Sequence, residues 1–187
     1  MPSVNLNIIR VGSENFTAAD ETTISNAITT MRNIYATVGF TIPLVENWVI
    51  GLAQANGHDV IDNDGEAESL TDEWTVPNRS VDVFAVKLYV GATAGLSPVG
   101  GPCDKDAKGM DGSVIEMNGS TTGQILAHEV GHYLGLSHTT NDSTNVMFPS
   151  VPNGGLLTAS QGDIMLRHCF VSPPYGSTSM IIGQDLL

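Results

Sequence analysis

Positive charge is what this 187-residue chain has least of, with 7 Lys and Arg against 20 Asp and Glu and a formal charge of −13. Such a surface repels phosphate-rich partners, so neither nucleic acid nor an anionic membrane is expected to bind it. No run of eighteen apolar residues exists, which excludes a membrane-spanning helix. The opening MPSVNLNIIRVG lacks the basic start and apolar stretch of a signal peptide, and no propeptide is recognisable. A trimmed mature domain, secreted and monomeric, is the expectation. Repeats and low-complexity segments are missing too. The length suits one domain, 1–187, with a sizeable core.

Residues 4–11 alternate as a strand, and Ile24, Ala27, Ile28, Met31, Ile34, Tyr35 and Val38 then recur at helical spacing up to Gly39. Phe40 to Val45 reads as a second strand weakened by Pro43, and Val81 to Val90 as a strongly apolar third. A βαβ start predicts a largely parallel sheet. Residues 54–80 look too polar to form core, and residues 91–112 hold six glycines and two prolines, so both read as surface loops. Ser113, Val114, Ile115, Glu116 and Met117 form a short segment suited to an edge strand, with Ser120 to Thr122 capping the helix after it. A capped helix is expected from Thr158, with Gln161 in the capping box.

That middle helix carries the chemistry, in the string HEVGHYLGLSH from His128 to His138. His128 and His132, four apart, project from one helical face about 6 Å apart along the axis, so two neutral imidazoles can share a metal. Glu129 points to one side, placed to take a proton from bound water as general base. Gly135 sits where a left-handed cap would end the helix and bring His138 back toward the metal. Three protein donors leave a fourth tetrahedral position open, the arrangement of a catalytic zinc.

With these residues the chain resembles a metzincin, the metalloprotease clan marked by HExxHxxGxxH and a methionine-containing turn. Met147 in NVMFPS lies nine residues past His138, with Pro149 two further on, which is most similar to the matrixin-like branch. The resemblance implies zinc on His128, His132 and His138, Glu129 as general base and Met147 as the apolar floor. It also implies an α+β fold whose N-terminal half is of α/β type. The expected sheet is twisted and mostly parallel with an antiparallel edge strand, and is accompanied by two long helices. A small irregular C-terminal subdomain, 139–187, with one helix would follow the N-terminal one, 1–138. The segment 113–117 would then be the platform on which an extended peptide pairs. Phe148 to Leu156 would wall the pocket, with Tyr175 a candidate near the oxyanion.

Some features depart from the resemblance or stay open. Phe148 stands where some metzincin branches carry a tyrosine, and His58 is the sole histidine upstream of the motif, which argues against a second zinc. Asp62, Asp64 and Glu66 suggest an oxygen-rich calcium loop, but an EF-hand register on Gly65 would put Val60 and Thr71 at ligand positions. A solvated acidic turn is the alternative. Cys103 and Cys169 stand either as a disulfide, worth roughly 4 kcal/mol on chain-entropy reasoning, or as buried thiols. A zinc-stabilised structural protein would close the fourth position with a Cys or His, which Cys103 could do only as a latency device. Asn15, Asn78, Asn118 and Asn141 each open a glycosylation sequon. His168 reads as structural or solvated. A zinc-dependent endopeptidase acting on proteins or peptides is the leading function, and a catalytically silent zinc-binding interaction module the rival.

Overall fold

The computed structural model describes residues 1–105, 109–150, 152 and 154–174. In chain order the elements are β1 (Ser3–Val4), β2 (Leu6–Val11), α1 (Ala18–Ala36), β3 (Val45–Ile50), α2 (Leu52–Ala55), β4 (Val60–Ile61) and α3 (Asp64–Glu73). They continue with β5 (Val81–Val86), β6 (Leu88–Tyr89), β7 (Gly95–Leu96), β8 (Gly112–Glu116), α4 (Thr122–Tyr133), α5 (Ala159–Met165) and β9 (Val171–Ser172).

A five-stranded sheet in the order β3-β2-β5-β8-β7 organises the molecule. The first four strands are mutually parallel, and β7 closes the edge antiparallel to β8. The fold is thus mixed α+β with a mostly parallel sheet and an antiparallel edge, as the sequence predicts. Strand β5 is buried at all six positions, which its apolar run VDVFAV fits, because a central parallel strand faces core on both sides.

Helix α1 starts at a capping box in which Thr17 accepts from Asp20 N–H and Asp20 accepts from Thr17 N–H. It buries Ile24, Ala27, Met31, Ile34 and Tyr35 against the sheet and α4, and the Tyr35 hydroxyl donates to Ala127 O at 3.1 Å. That bond ties the second long helix to the first. The other sheet face carries its own core, with Ala67 and Leu70 of α3 packed among Ile9, Phe84, Val86 and Val114.

Three expectations need correction. The second strand lies at Val45–Ile50, past the predicted Phe40–Val45, because Phe40 and Ile42 go directly into the core, Thr41 makes only a single bridge to Ser3, and Pro43 interrupts the chain before continuous pairing begins. Residues 54–80 are not a surface loop: Asn63 caps α3, Glu66 reaches back to Asp62 N–H, and Ala67, Leu70 and Thr71 are buried. Finally, Ser113, Val114, Ile115 and Glu116 lie in β8, an interior strand covered by β7, with Met117 just beyond it. Their apolar run reflects burial on both faces, and the exposed edge belongs to Gly95–Leu96.

After His138 the chain has little regular structure until α5, whose capping box joins Thr158 and Gln161 as predicted. The chain then returns so that β9 pairs antiparallel with β1, Ser172 opposite Ser3. Cys103 and Cys169 are bonded to each other, with Cα atoms 6.0 Å apart.

Candidate metal centre and cleft

Helix α4 is buried along nearly its whole length, so its polar residues are held by the core rather than displayed to water. It follows a 3-10 turn, Gly119–Thr121, where Thr122 Oγ1 accepts from Asn118 N–H at 2.9 Å; Thr121 itself makes no side-chain cap. At the far end Gly135 adopts φ +101°. Its N–H donates to His132 O at 2.8 Å, while Leu136 N–H donates to Gly131 O at 2.9 Å, a Schellman reversal that needs a residue free of Cβ strain. The turn carries His138 back over the helix.

The reversal brings three ring nitrogens together. Nε2 of His128 lies 3.0 Å from Nε2 of His132 and 3.1 Å from that of His138, and the last two are also 3.1 Å apart. Three nitrogens bound tetrahedrally to zinc would lie roughly 3.3 Å apart, close to this spacing. Backbone carbonyls fix the tautomers: Nδ1 of His128 faces Val146 O at 2.7 Å and Nδ1 of His132 faces Leu136 O at 2.6 Å. A carbonyl only accepts, so both Nδ1 atoms must carry their protons, and in the neutral rings both Nε2 atoms present lone pairs. Lone pairs converging at 3 Å repel unless a cation sits among them.

Burial favours the neutral rings. It is the largest influence on both helical histidines, lowering His128 and taking His132 down to about 4. Among the described residues this trio is the only group of three or more His, Cys, Asp or Glu placed to hold a metal ion. Cys103, committed to its disulfide, is not a fourth donor. The acidic segment makes hydrogen bonds within the fold, with Glu66 on Asp62 N–H and Asp64 accepting from the Tyr89 hydroxyl at 2.7 Å. His168 also has a structural place, packed against the mutually stacked rings of Tyr133 and Phe170 with Nε2 3.0 Å from Gly101 O.

Glu129 lies in the same cleft with no hydrogen-bond partner among the described residues, and burial pushes its carboxyl up to about 8. The cleft has a volume of about 900 Å³. One side is the edge segment Ala94 to Ser97, and the other includes Pro149, Ser150 and Pro152 from the segment expected to wall it. Met147 is completely buried under α4, where a methyl group at Gly131 would come within 2.7 Å of its Sδ. Its own N–H donates to Asn145 Oδ1 and its carbonyl accepts from Thr139 N–H, so the turn is held in place. Tyr175, and Val151 and Asn153 of the wall, lie outside the described residues.

Two parts of the site were not found from sequence. The carbonyls of Val146 and Leu136, which orient the imidazoles, leave no mark on residue type. The edge segment is only two residues long inside a glycine-rich stretch, although Leu96 between Gly95 and Ser97 offered a weak signal.

Comparison with known proteins agrees with this geometry. A stretch of 65 residues, 33% of the chain, is 38% identical to the human disintegrin and metalloproteinase domain-containing protein 33, but corresponds to only 8% of that protein. Among solved structures, metalloproteinase-II from Bacteroides fragilis superposes with a TM-score of 0.60 at 17% identity, over 88% of this chain and 52% of that one. The chain therefore spans a small part of the human relative and about half of the bacterial structure. The family model described as metallo-peptidase family M12, of reprolysin type, matches residues 11–168. It supports no matrixin-like placement: the short gap before Met147 is one loop length, whereas the match takes in both long helices and four of the five strands of the main sheet. By that match the chain belongs to metallo-peptidase family M12.

Proposed function

We propose that the protein is a zinc-dependent endopeptidase of metzincin type that hydrolyses peptide bonds by direct attack of water. The observation that carries this is the pairing of three converged imidazole nitrogens with a buried carboxyl group beside them that has no hydrogen-bond partner among the described residues. His128, His132 and His138 hold the metal, with Met147 packed beneath. Bound zinc supplies Lewis acidity toward water and the scissile carbonyl.

The remaining work falls to the chain. An extended peptide pairs along the free side of β7, which replaces segment 113–117 as the platform. Glu129, with no competing partner among the described residues, accepts the proton of the attacking water and delivers it to the leaving amine nitrogen. Burial raises its proton affinity, the direction that suits a group which must take a proton and then give it back. The disulfide supports an oxidising, extracellular setting.

Cleavage of denatured casein and of a mixed peptide library, measured together with metal content, tests the reading. Wild type should bind one zinc and cut both substrates, phenanthroline should abolish cutting, and Glu129→Gln should keep the metal while losing at least ~10²–10⁴-fold in rate. Zinc binding without cleavage in wild type would favour the silent binding module instead.

A further inference from the structure

We propose that Gly95, on the edge strand, is a positioning residue for Glu129: its missing side chain is the space in which that side chain stands. This rests on the role given to Glu129 above. Gly95 is opposite Ile115 and Leu96 is opposite Val114. Successive side chains of a strand leave opposite faces, and Leu96 packs into the core beyond the sheet, so position 95 faces α4. A Cβ there would stand 2.7 Å from Glu129 Cγ, 2.9 Å from its Oε1 and 2.9 Å from Val114 O. The first two contacts are to the side chain that must reach the water, and the third is to backbone that cannot yield.

The conformational freedom of glycine is not at issue, because Gly95 is absent from the positive-φ glycines. What matters is volume. Glu129 is held by the α4 backbone below and has no hydrogen bond of its own among the described residues, so the bare backbone of β7 acts as its wall. Any residue larger than glycine would push the carboxylate along the cleft or force β7 away from β8. Val114 O belongs to the middle of the sheet and cannot give way, whereas the Glu129 side chain turns about its own single bonds, so the carboxylate takes the displacement. The same glycine therefore fixes both where a peptide lies on β7 and where the base stands, coupling the two distances that hydrolysis requires.

The test is a cycle of wild type, Gly95→Ala, Glu129→Ala and the double variant, each loaded with zinc and melted, with kcat and KM measured for the first two. Gly95→Ala should keep its zinc and a KM within about threefold of wild type, yet lose about a hundredfold in kcat, the scale expected when a reacting group moves by about 1 Å. Its loss in melting temperature should shrink markedly once Glu129 is also alanine, since the Cγ and Oε1 contacts are then gone. If Gly95→Ala fails to fold, recovery of a folded double variant supports the assignment and an unfolded double variant overturns it. Retained kcat in Gly95→Ala, or an equal melting loss in both backgrounds, would also overturn it. Wild type that hydrolyses nothing would sink the peptidase reading while leaving the melting cycle to judge the contact.

Discussion

Two buried polar clusters among the described residues differ in how far the chain satisfies them. Asp82, fully buried on β5, accepts from Asn7 Nδ2 at 2.6 Å, Thr75 Oγ1 at 2.9 Å, Val76 N–H at 3.0 Å and Lys105 Nζ at 2.7 Å. Its charge is neutralised and both oxygens are occupied. The histidine trio and Glu129 are the reverse: lone pairs meet at 3 Å and a carboxylate has no hydrogen-bond partner among the described residues. Completeness fits a device that holds loops to the sheet, and incompleteness fits the proposed site, where a cation and a substrate would supply what the chain does not.

The largest test of this contrast is removal of a donor on the incomplete side. His132→Ala should lower zinc affinity by orders of magnitude, read by competition with a chromophoric chelator, and should abolish the stabilisation that zinc gives to the melt. A variant that held zinc normally would contradict the ligand set. On the complete side, Lys105→Met strands the Asp82 charge and should cost ~3–5 kcal/mol in denaturant unfolding. Its zinc affinity should stay near that of wild type. Comparable metal loss in both variants would erase the distinction.

A smaller effect concerns pH in the metal-free protein. Glu129 is raised from 4.5 to about 8, so its contribution to stability is complete below 4.5 and is lost as pH rises to about 8. His132 is lowered from 6.5 to about 4, so its contribution is present above 6.5 and is lost as pH falls toward 4. The two oppose each other between 4.5 and 6.5, and only Glu129 acts from 6.5 to 8. Stability of the chelated protein should fall there by up to ~2 kcal/mol, and Glu129→Gln should flatten the slope. An unchanged slope in that variant would assign it elsewhere. Smallest of all, Gly135→Ala at φ +101° should cost ~1–2 kcal/mol and weaken zinc binding by displacing His138.

The convergence of the three histidines was legible because its determinants are local. Four-residue spacing puts His128 and His132 on one face, and Gly135 permits the one reversal that returns His138. Segment 113–117 was misplaced because a buried central strand and a short edge strand share the same apolar run. What decides between them is β7, two residues long and nearly invisible in composition. Helix α3 was hidden by its acidic first turn, although Asn63 as cap with Ala67 and Leu70 three apart were its signature. Gly95 was passed over because glycine in a sequence suggests a turn, while here it records a collision avoided with a residue 34 positions away.

The compactness of the histidine segment also bears on the order of folding. Its three donors fall within eleven residues, whereas the sheet must gather strands from across the chain and finally pair Ser3 with Ser172. Local contacts form ahead of distant ones, since closing a long loop costs entropy before any pairing rewards it. A helix flickering in the unfolded chain already presents two imidazoles on one face, and zinc captured by it would hold that turn while the strands assemble around it.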